Sequence, residues 1–185
     1  MSRGLLAFLL LTPFAAGQIQ NQADDGQWTM PAKNYASTRF STLDQINAAN
    51  ASGLKPAWNF STGLTKGHEA APLVVNNTMY IVTPWPNLLY ALDLTKPGAP
   101  VKWTYTPHTS RSAQGVACCD VVNRGAAYSN GRIYYNTLDM HTVAVDANTG
   151  KEVWKTAVGD INLGESFTMA QIVVKGKVLV GNSGG

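Results

Sequence analysis

Charge is scarce in this sequence. Only 14% of its 185 residues are Asp, Glu, Lys or Arg, while 45% are hydrophobic. The formal net charge of +3 is not gathered into any basic cluster, which excludes nucleic-acid binding for want of an electrostatic footprint. Low charge suits an extracytoplasmic, strand-rich protein better than a helical cytosolic one. No apolar run is long enough to span a bilayer. From Lys55 onward helical periodicity is missing, so a helical bundle is excluded. The three histidines, His68, His108 and His141, lack metal-ligand spacing, and Ser166 has no nearby base to make it a nucleophile. Cysteine is reduced to one adjacent pair, Cys118 and Cys119, which cannot staple distant parts of the chain.

What is present begins with a leader. Arg3 is a positive n-region, Leu5 to Leu11 a short apolar core, and Ala15-Ala16-Gly17 a small-residue cleavage site. Residues 1–17 therefore read as a secretory signal peptide, with a buried N-terminal helix as the alternative. No cysteine follows the apolar core, so the leader is not of lipoprotein type. Export implies an oxidising compartment, in which a bond between Cys118 and Cys119 can persist. Such a bond closes a small strained ring through the pair's own peptide bond and offers a flat, rigid surface. Two reduced, buried thiols remain the alternative.

Residues 18–27 are polar, and Trp28 to Ser41 show no clear period. Thr42 to Gly53 predict one short helix or turn, with a cap at Thr42-Leu43-Asp44 and apolar anchors at Ile46 and Leu54. Beyond Lys55 every segment is short, β-branched or aromatic, and bounded by Asn, Gly or Pro. Laid over one another, these segments repeat. Pro72 to Thr83, Gly125 to Asn136 and Met169 to Val180 each read as strand, two-residue turn, strand; Asn130-Gly131 and Lys175-Gly176 mark two of the turns. Leu89 to Asp93 leads on to Trp103. Thr142 to Asp146 leads through Asn148-Thr149-Gly150 to Trp154, and Trp58 is a candidate end of an earlier unit. The Trp spacing of about fifty residues lies in the range of propeller blades.

The expected fold is all-β, with four-stranded antiparallel blades that are apolar on both faces and stack on one another, each tryptophan filling the gap between sheets. Two complete blades and the first hairpin of a third are predicted. A propeller needs about four or more blades to close, so residues 18–185 read as the N-terminal portion of a longer propeller.

The run Cys118-Cys-Asp-Val-Val-Asn-Arg-Gly125, together with the leader and the Trp-ended blades, resembles the quinoprotein alcohol dehydrogenases of the methanol and ethanol dehydrogenase type. The similarity extends from about Trp28 to the end of the chain. It implies an eight-bladed propeller holding pyrroloquinoline quinone (PQQ) with calcium or a lanthanide. It also implies oxidation of a small primary alcohol to an aldehyde and a periplasmic location, soluble or membrane-associated. Cytochrome c would be the electron acceptor, and a homodimer or a small partner subunit is compatible with the family.

The resemblance assigns roles to particular residues. Cys118 and Cys119 match a vicinal disulfide on one face of the quinone, and Arg124 matches an arginine beside a PQQ carboxylate. Val122 matches a residue lining the pocket, Glu69 a glutamate near the cofactor, and Thr168 a cofactor-binding threonine. Ser183, Gly184 and Gly185 match small residues that let the backbone approach the ring. The family pattern places a metal-binding glutamate directly after Gly185 and the catalytic aspartate further on, so these residues alone are expected to be inactive.

The residue chemistry agrees with those roles. A planar tricarboxylate calls for cationic forks, flat surfaces and close backbone approach. By residue type alone, Arg124 equally suits a tie between a strand end and a carboxylate, Glu69 a loop charge, Thr168 a strand position and Gly184-Gly185 a loop. A non-catalytic envelope propeller used as a scaffold is the competing reading. It shares the leader and the blades but has no reason to combine Cys118-Cys119, Arg124 and the Gly-Gly pair.

Overall fold

A computed structural model describes residues 26–117 and 120–183. The proposed leader, both cysteines, Gly184 and Gly185 lie outside the described residues. Ten strands in three antiparallel sheets account for nearly all the regular structure among them. The first sheet has the order β1 (Leu73–Val75), β2 (Thr78–Val82), β3 (Leu89–Asp93), β4 (Val101–Tyr105). The second repeats it with β5 (Ala126–Ser129), β6 (Arg132–Thr137), β7 (His141–Asp146) and β8 (Glu152–Ala157). The hairpin β9 (Ile172–Val174) and β10 (Lys177–Leu179) begins a third unit. The predicted two and a half blades are all present.

Turn chemistry sets the hairpins. Both central residues of each inner turn have positive φ: Asn76-Asn77 at 48° and 57°, Asn130-Gly131 at 48° and 75°, Lys175-Gly176 at 50° and 72°. That is the backbone of a type I′ turn, whose twist matches that of the flanking strands and which Asn and Gly tolerate best. The turn from β7 to β8 is closed by Asp146. Its Oδ1 accepts from the backbone N–H groups of Asn148 and Thr149 and from the Thr149 hydroxyl, at 2.8–3.1 Å. In the first sheet Asp93 likewise receives the Thr95 N–H at 3.0 Å and the Thr95 hydroxyl at 2.5 Å. The Thr95 hydrogen bonds, from hydroxyl and then backbone, hold the Asp93 carboxyl down at about 2.

Strand alternation supplies each sheet with two apolar faces. Ile133, Tyr135, Val143 and Val145 share a core with Leu73, Tyr80, Val82, Leu89 and Ala91 of the first sheet. The opposite face of the second sheet carries Ala127, Tyr134 and Ala144, which pack with Val173 of the third unit, with Trp154 and Val178 against them. The tryptophans occupy equivalent places. Trp103 is paired across from Ala91 and Trp154 across from Ala144, and a bulge follows the alanine in both sheets. The small alanine leaves room for the indole. Trp103 then reaches the next blade, where it meets Gly150 in the Asp146 turn. A Cβ on Gly150 would fall 2.6 Å from Trp103 Cδ2, and the glycine has φ +71°.

Of the short helix or turn expected over Thr42 to Gly53, the structure shows the turn, ending in the 3-10 turn Ala51–Gly53. Two other expectations need correction. The intended anchors Ile46 and Leu54 are about 60% exposed. Asn side chains take the backbone groups that a helix would use: Asn50 Oδ1 accepts from Asn47 N–H at 2.9 Å, Asn47 Oδ1 accepts from Ala49 N–H at 3.0 Å, and Asn50 Nδ2 donates to Gln45 O at 2.8 Å. Trp58 ends no strand, since residues 54–70 contain none; nearby Phe60 instead packs edge-on against Tyr90, with ring centroids 5.1 Å apart.

The segment around Trp28 has a clear task despite its lack of period. Trp28 exchanges backbone hydrogen bonds with Val74 on the open edge of β1, at 2.7 and 3.1 Å, and Thr29 O accepts from Tyr128 N–H of β5 at 2.7 Å. One extended segment thus ties the inner edges of two blades together. Substituting Gly150→Ala adds both a left-handed Cβ and an overlap with Trp103. It is expected to lower stability by roughly 2–3 kcal/mol in denaturant unfolding of the protein with its complete propeller. The same change at Gly131, whose Cβ would meet nothing within 4 Å, should cost only the turn strain of about 1 kcal/mol.

Candidate functional site

The connection from β4 to β5 carries the Cys118-to-Gly125 run, and buried polar groups hold it in place. Thr109 Oγ1 donates to Pro86 O at 3.0 Å, and Ser110 N–H donates to Asp139 Oδ2 at 2.8 Å. Trp85 uses its indole N–H on Ser110 O at 3.2 Å and its backbone N–H on Val121 O at 2.9 Å. Asn123 is fully buried, donates to Asn136 O at 2.7 Å and accepts from Gly125 N–H at 2.9 Å. Asn87, also fully buried, accepts from Leu138 N–H at 3.0 Å, while its carbonyl receives the Tyr135 hydroxyl at 2.9 Å. Buried backbone groups left without such partners would each cost about 1–3 kcal/mol.

Asp139 is the charged member of this network. Burial by itself would raise its carboxyl pKa. The Thr137 hydroxyl, the Ser110 N–H and the nearby His141 and Lys155 outweigh burial and hold it below the ordinary 3.8. His141 Nδ1 lies 3.2 Å from Asp139 Oδ1.

Against this anchored loop lies the segment Lys66 to Ala71, running parallel to it. Lys66 pairs with Asp120 at 3.6 Å, Val122 Cγ1 sits 4.0 Å from where a Cβ on Gly67 would be, and Arg124 Nε meets Glu69 Oε2 at 3.3 Å. A parallel bridge between Ala71 and Gly125 continues the register. From the other side Thr168 joins Arg124 twice. Its carbonyl accepts the Arg124 backbone N–H at 3.0 Å, and its hydroxyl oxygen accepts from Arg124 Nη1 at 2.7 Å.

Glu69, Arg124 and Thr168, expected to act together, are thus in direct contact. Val122 is buried beneath the Gly67 segment. Ser183 exchanges backbone hydrogen bonds with Ser166, at 2.9 and 3.0 Å, two residues from Thr168. Cys118, Cys119, Gly184 and Gly185 lie outside the described residues.

An open cleft of about 430 Å³ is lined by Pro31, Arg39, Glu69, Ala71, Arg124 and Ala170. The Glu69–Arg124 pair is half exposed on both sides and is worth at most about 1 kcal/mol, so an incoming carboxylate can compete for the guanidinium. Nε faces Glu69 and Nη1 faces Thr168, which leaves Nη2 free of hydrogen bonds to described residues. The volume falls within the range of small-molecule sites. The small side chains of Ala71 and Ala170 leave room for a flat ring. A cationic fork in an open cleft, held from behind by the buried Thr168 hydroxyl, fits a planar polycarboxylate. Among the described residues no group of three His, Cys, Asp or Glu side chains could hold a metal ion.

Sequence reasoning did not find Asn87, Asn136, Asp139 or Arg39. The first three are ordinary polar types, and Asn87 lies about fifty residues from Asn136 and Asp139. Arg39 lay in a stretch without period, and its only signal was a cation in a region otherwise poor in charge.

The stacked four-stranded sheets define a β-propeller-type protein. The chain belongs to the family described as "PQQ: Glucose/ethanol/alcohol dehydrogenase, beta-propeller domain", which matches residues 28–181. It is 53% identical over 98% of its length to a lanthanide-dependent methanol dehydrogenase of Methylacidiphilum fumariolicum, covering 30% of that protein. It is 46% identical over 97% of its length to methanol dehydrogenase [cytochrome c] subunit 1 of Methylobacterium organophilum, covering 31%. A solved europium-containing methanol dehydrogenase superposes with a TM-score of 0.84 at 55% identity, over 89% of this chain and 28% of that one. The chain therefore spans about 30% of the length of the curated relatives it matches.

The acid dependence of the loop anchor follows from Asp139. A depressed carboxyl contributes stability that is fully present above its unfolded value of 3.8 and is lost as pH falls through the lower folded value. Asp139→Asn should remove this component. Denaturant midpoints between about pH 2 and about pH 6 should then fall less steeply for the variant than for the parent; parallel curves would contradict the assignment.

Proposed function

We propose that this chain forms the N-terminal part of the propeller of an exported PQQ-dependent alcohol dehydrogenase. Residues 1–17 are its signal peptide, and residues 18–185 contribute two and a half blades. The protein oxidises a small primary alcohol, methanol in the first instance, to the aldehyde and passes electrons to cytochrome c in the periplasm. Calcium or a lanthanide serves as the metal, and the 53% identity to a lanthanide-dependent relative favours the lanthanide. The observation that carries this reading is that Glu69 and Arg124, from separate stretches of chain, line one open cleft, with Thr168 from a third stretch buried against the Arg124 guanidinium.

When bound, PQQ supplies an electrophilic quinone carbonyl that accepts hydride, with the metal polarising its oxygen. This chain's residues bind and orient. Arg124 turns its free Nη2 to a ligand carboxylate, while Thr168 fixes the plane of the fork by accepting from Nη1. The Thr168 hydroxyl keeps its own proton to donate to the same or a neighbouring carboxylate. Glu69 holds Nε so that the guanidinium does not rotate away. Val122 supplies a dry wall under the Gly67 segment, and Ser183, Gly184 and Gly185 let the backbone come close to the ring. Cys118 and Cys119, joined, present a flat face without hydrogen-bonding groups.

The test is methanol-dependent reduction of cytochrome c by the full-length protein reconstituted with PQQ and either calcium or lanthanum. Activity should require PQQ, and Arg124→Gln should weaken PQQ binding at least about tenfold without loss of fold. Turnover without PQQ, or unaltered PQQ affinity in the variant, would contradict the reading.

A further inference from the structure

Arg39 faces the same cleft as Glu69 and Arg124, and no element of the fold accounts for its charge. It reaches the cleft from the segment that ties β1 to β5 through Trp28 and Thr29, so its position is fixed relative to both blades. The path from Ala32 to Arg39 is a closed loop. Arg39 N–H donates to Ala32 O at 3.2 Å, Ser37 N–H donates to Asn34 O at 2.9 Å, and the Asn34 side chain binds the Thr38 hydroxyl at 2.9 Å and the Thr38 N–H at 3.2 Å.

Within that loop Ser37 and Arg39 hold left-handed backbone, with φ of 55° and 50°. These conformations turn the backbone sharply on either side of Thr38. The Arg39 guanidinium makes no ion pair or hydrogen bond with any described residue. The cleft accordingly sets two guanidinium groups against the single carboxylate of Glu69. Arg124 is already engaged by Glu69 and Thr168, so Arg39 is the less committed of the two cations.

We propose that Arg39 is a second carboxylate-binding residue of this site, pairing with an acid group of the bound cofactor that Arg124 does not reach. The inference rests on the cofactor reading above. PQQ carries three carboxylates, and one arginine already paired with a glutamate does not neutralise them. A second fork arriving from a separate segment of chain would also fix the ring's orientation, since two anchored carboxylates define a direction within the cleft where one does not. Because the surplus charge is solvent-exposed, its contribution is sensitive to salt.

The experiment compares Arg39→Gln, Arg39→Lys and Arg124→Gln in the full-length apoprotein, with PQQ and a PQQ monomethyl ester as probes. Equilibrium dialysis at low and high salt gives the affinities, and thermal unfolding of each apoprotein gives the fold control. Arg39→Gln should weaken PQQ binding about tenfold, flatten its salt dependence and leave the apoprotein's thermal midpoint unchanged. Arg39→Lys should recover most of the loss. An ester that masks the carboxylate facing Arg39 should bind the Gln variant and the parent alike. If Arg39→Gln binds PQQ as the parent does while Arg124→Gln does not, the Arg39 proposal falls and the site reading stands. If neither variant changes binding, both fall. A lower apoprotein midpoint that accompanies the loss and is not restored by Lys would make Arg39 structural and overturn the proposal.

Discussion

A four-stranded sheet with apolar side chains on both faces is unstable until both faces are covered. Neither the first nor the second sheet can meet that demand alone, because strand alternation sends comparable side chains to either side. The contact that resolves it is Trp103 against Gly150. The indole projects from the outer strand of one blade into the Asp146 turn of the next, where the absence of a Cβ lets the ring lie on the backbone. Burying an aromatic of this size is worth a few kcal/mol, and the fit admits few alternatives in relative placement. Tyr80 adds direction by donating its hydroxyl to Ala147 O across the same junction at 3.0 Å.

That stacking is what creates the cleft. With the blades side by side, the chain entering β5 lies between the chain entering β1 and the chain entering β9. Arg124, just before β5, then has Glu69 on one side and Thr168 on the other. The three side chains meet because each precedes the inner strand of its own blade. Equivalent positions in successive repeats converge near the axis of a stacked array, so the repeat that solves the burial problem also gathers chemistry at one end. The buried Asn87, Asn123, Asn136 and Asp139 link the long β4–β5 connection to this frame.

The parts of this arrangement legible in the sequence are those encoded locally. Asn130-Gly131 announces its turn because both residues accept positive φ, and the Asp146-to-Gly150 run closes a loop with its own side chains. Alternation within β6 and β7 shows which residues face which neighbour. Thr42 to Gly53, read as a short helix or a turn, is the turn, because Asn47 and Asn50 satisfy backbone groups locally; only the anchoring by Ile46 and Leu54 fails, since both stay exposed. Trp58 has no Asp-closed turn before it, and residues 54–70 contain no strand. Glu69, Arg124 and Thr168 were placed by family resemblance to the Cys-Cys-Asp-Val-Val-Asn-Arg-Gly run, not by spacing. Asn87 and Asp139 were invisible because their residue types are unremarkable and the contacts that give them their task, Leu138 and Tyr135 for Asn87 and Ser110 for Asp139, are remote in sequence.

The central claim is that the cleft lined by Glu69 and Arg124, with Thr168 buried against the guanidinium, is the seat of a planar polycarboxylate cofactor. The most direct measurement is a crystal structure of the full-length protein grown with PQQ. The account predicts ring density in this cleft, with a carboxylate within hydrogen-bonding distance of the Arg124 guanidinium and the Thr168 hydroxyl. A bound ring seated elsewhere, with Arg124 still engaged only by Glu69 and Thr168, would contradict it.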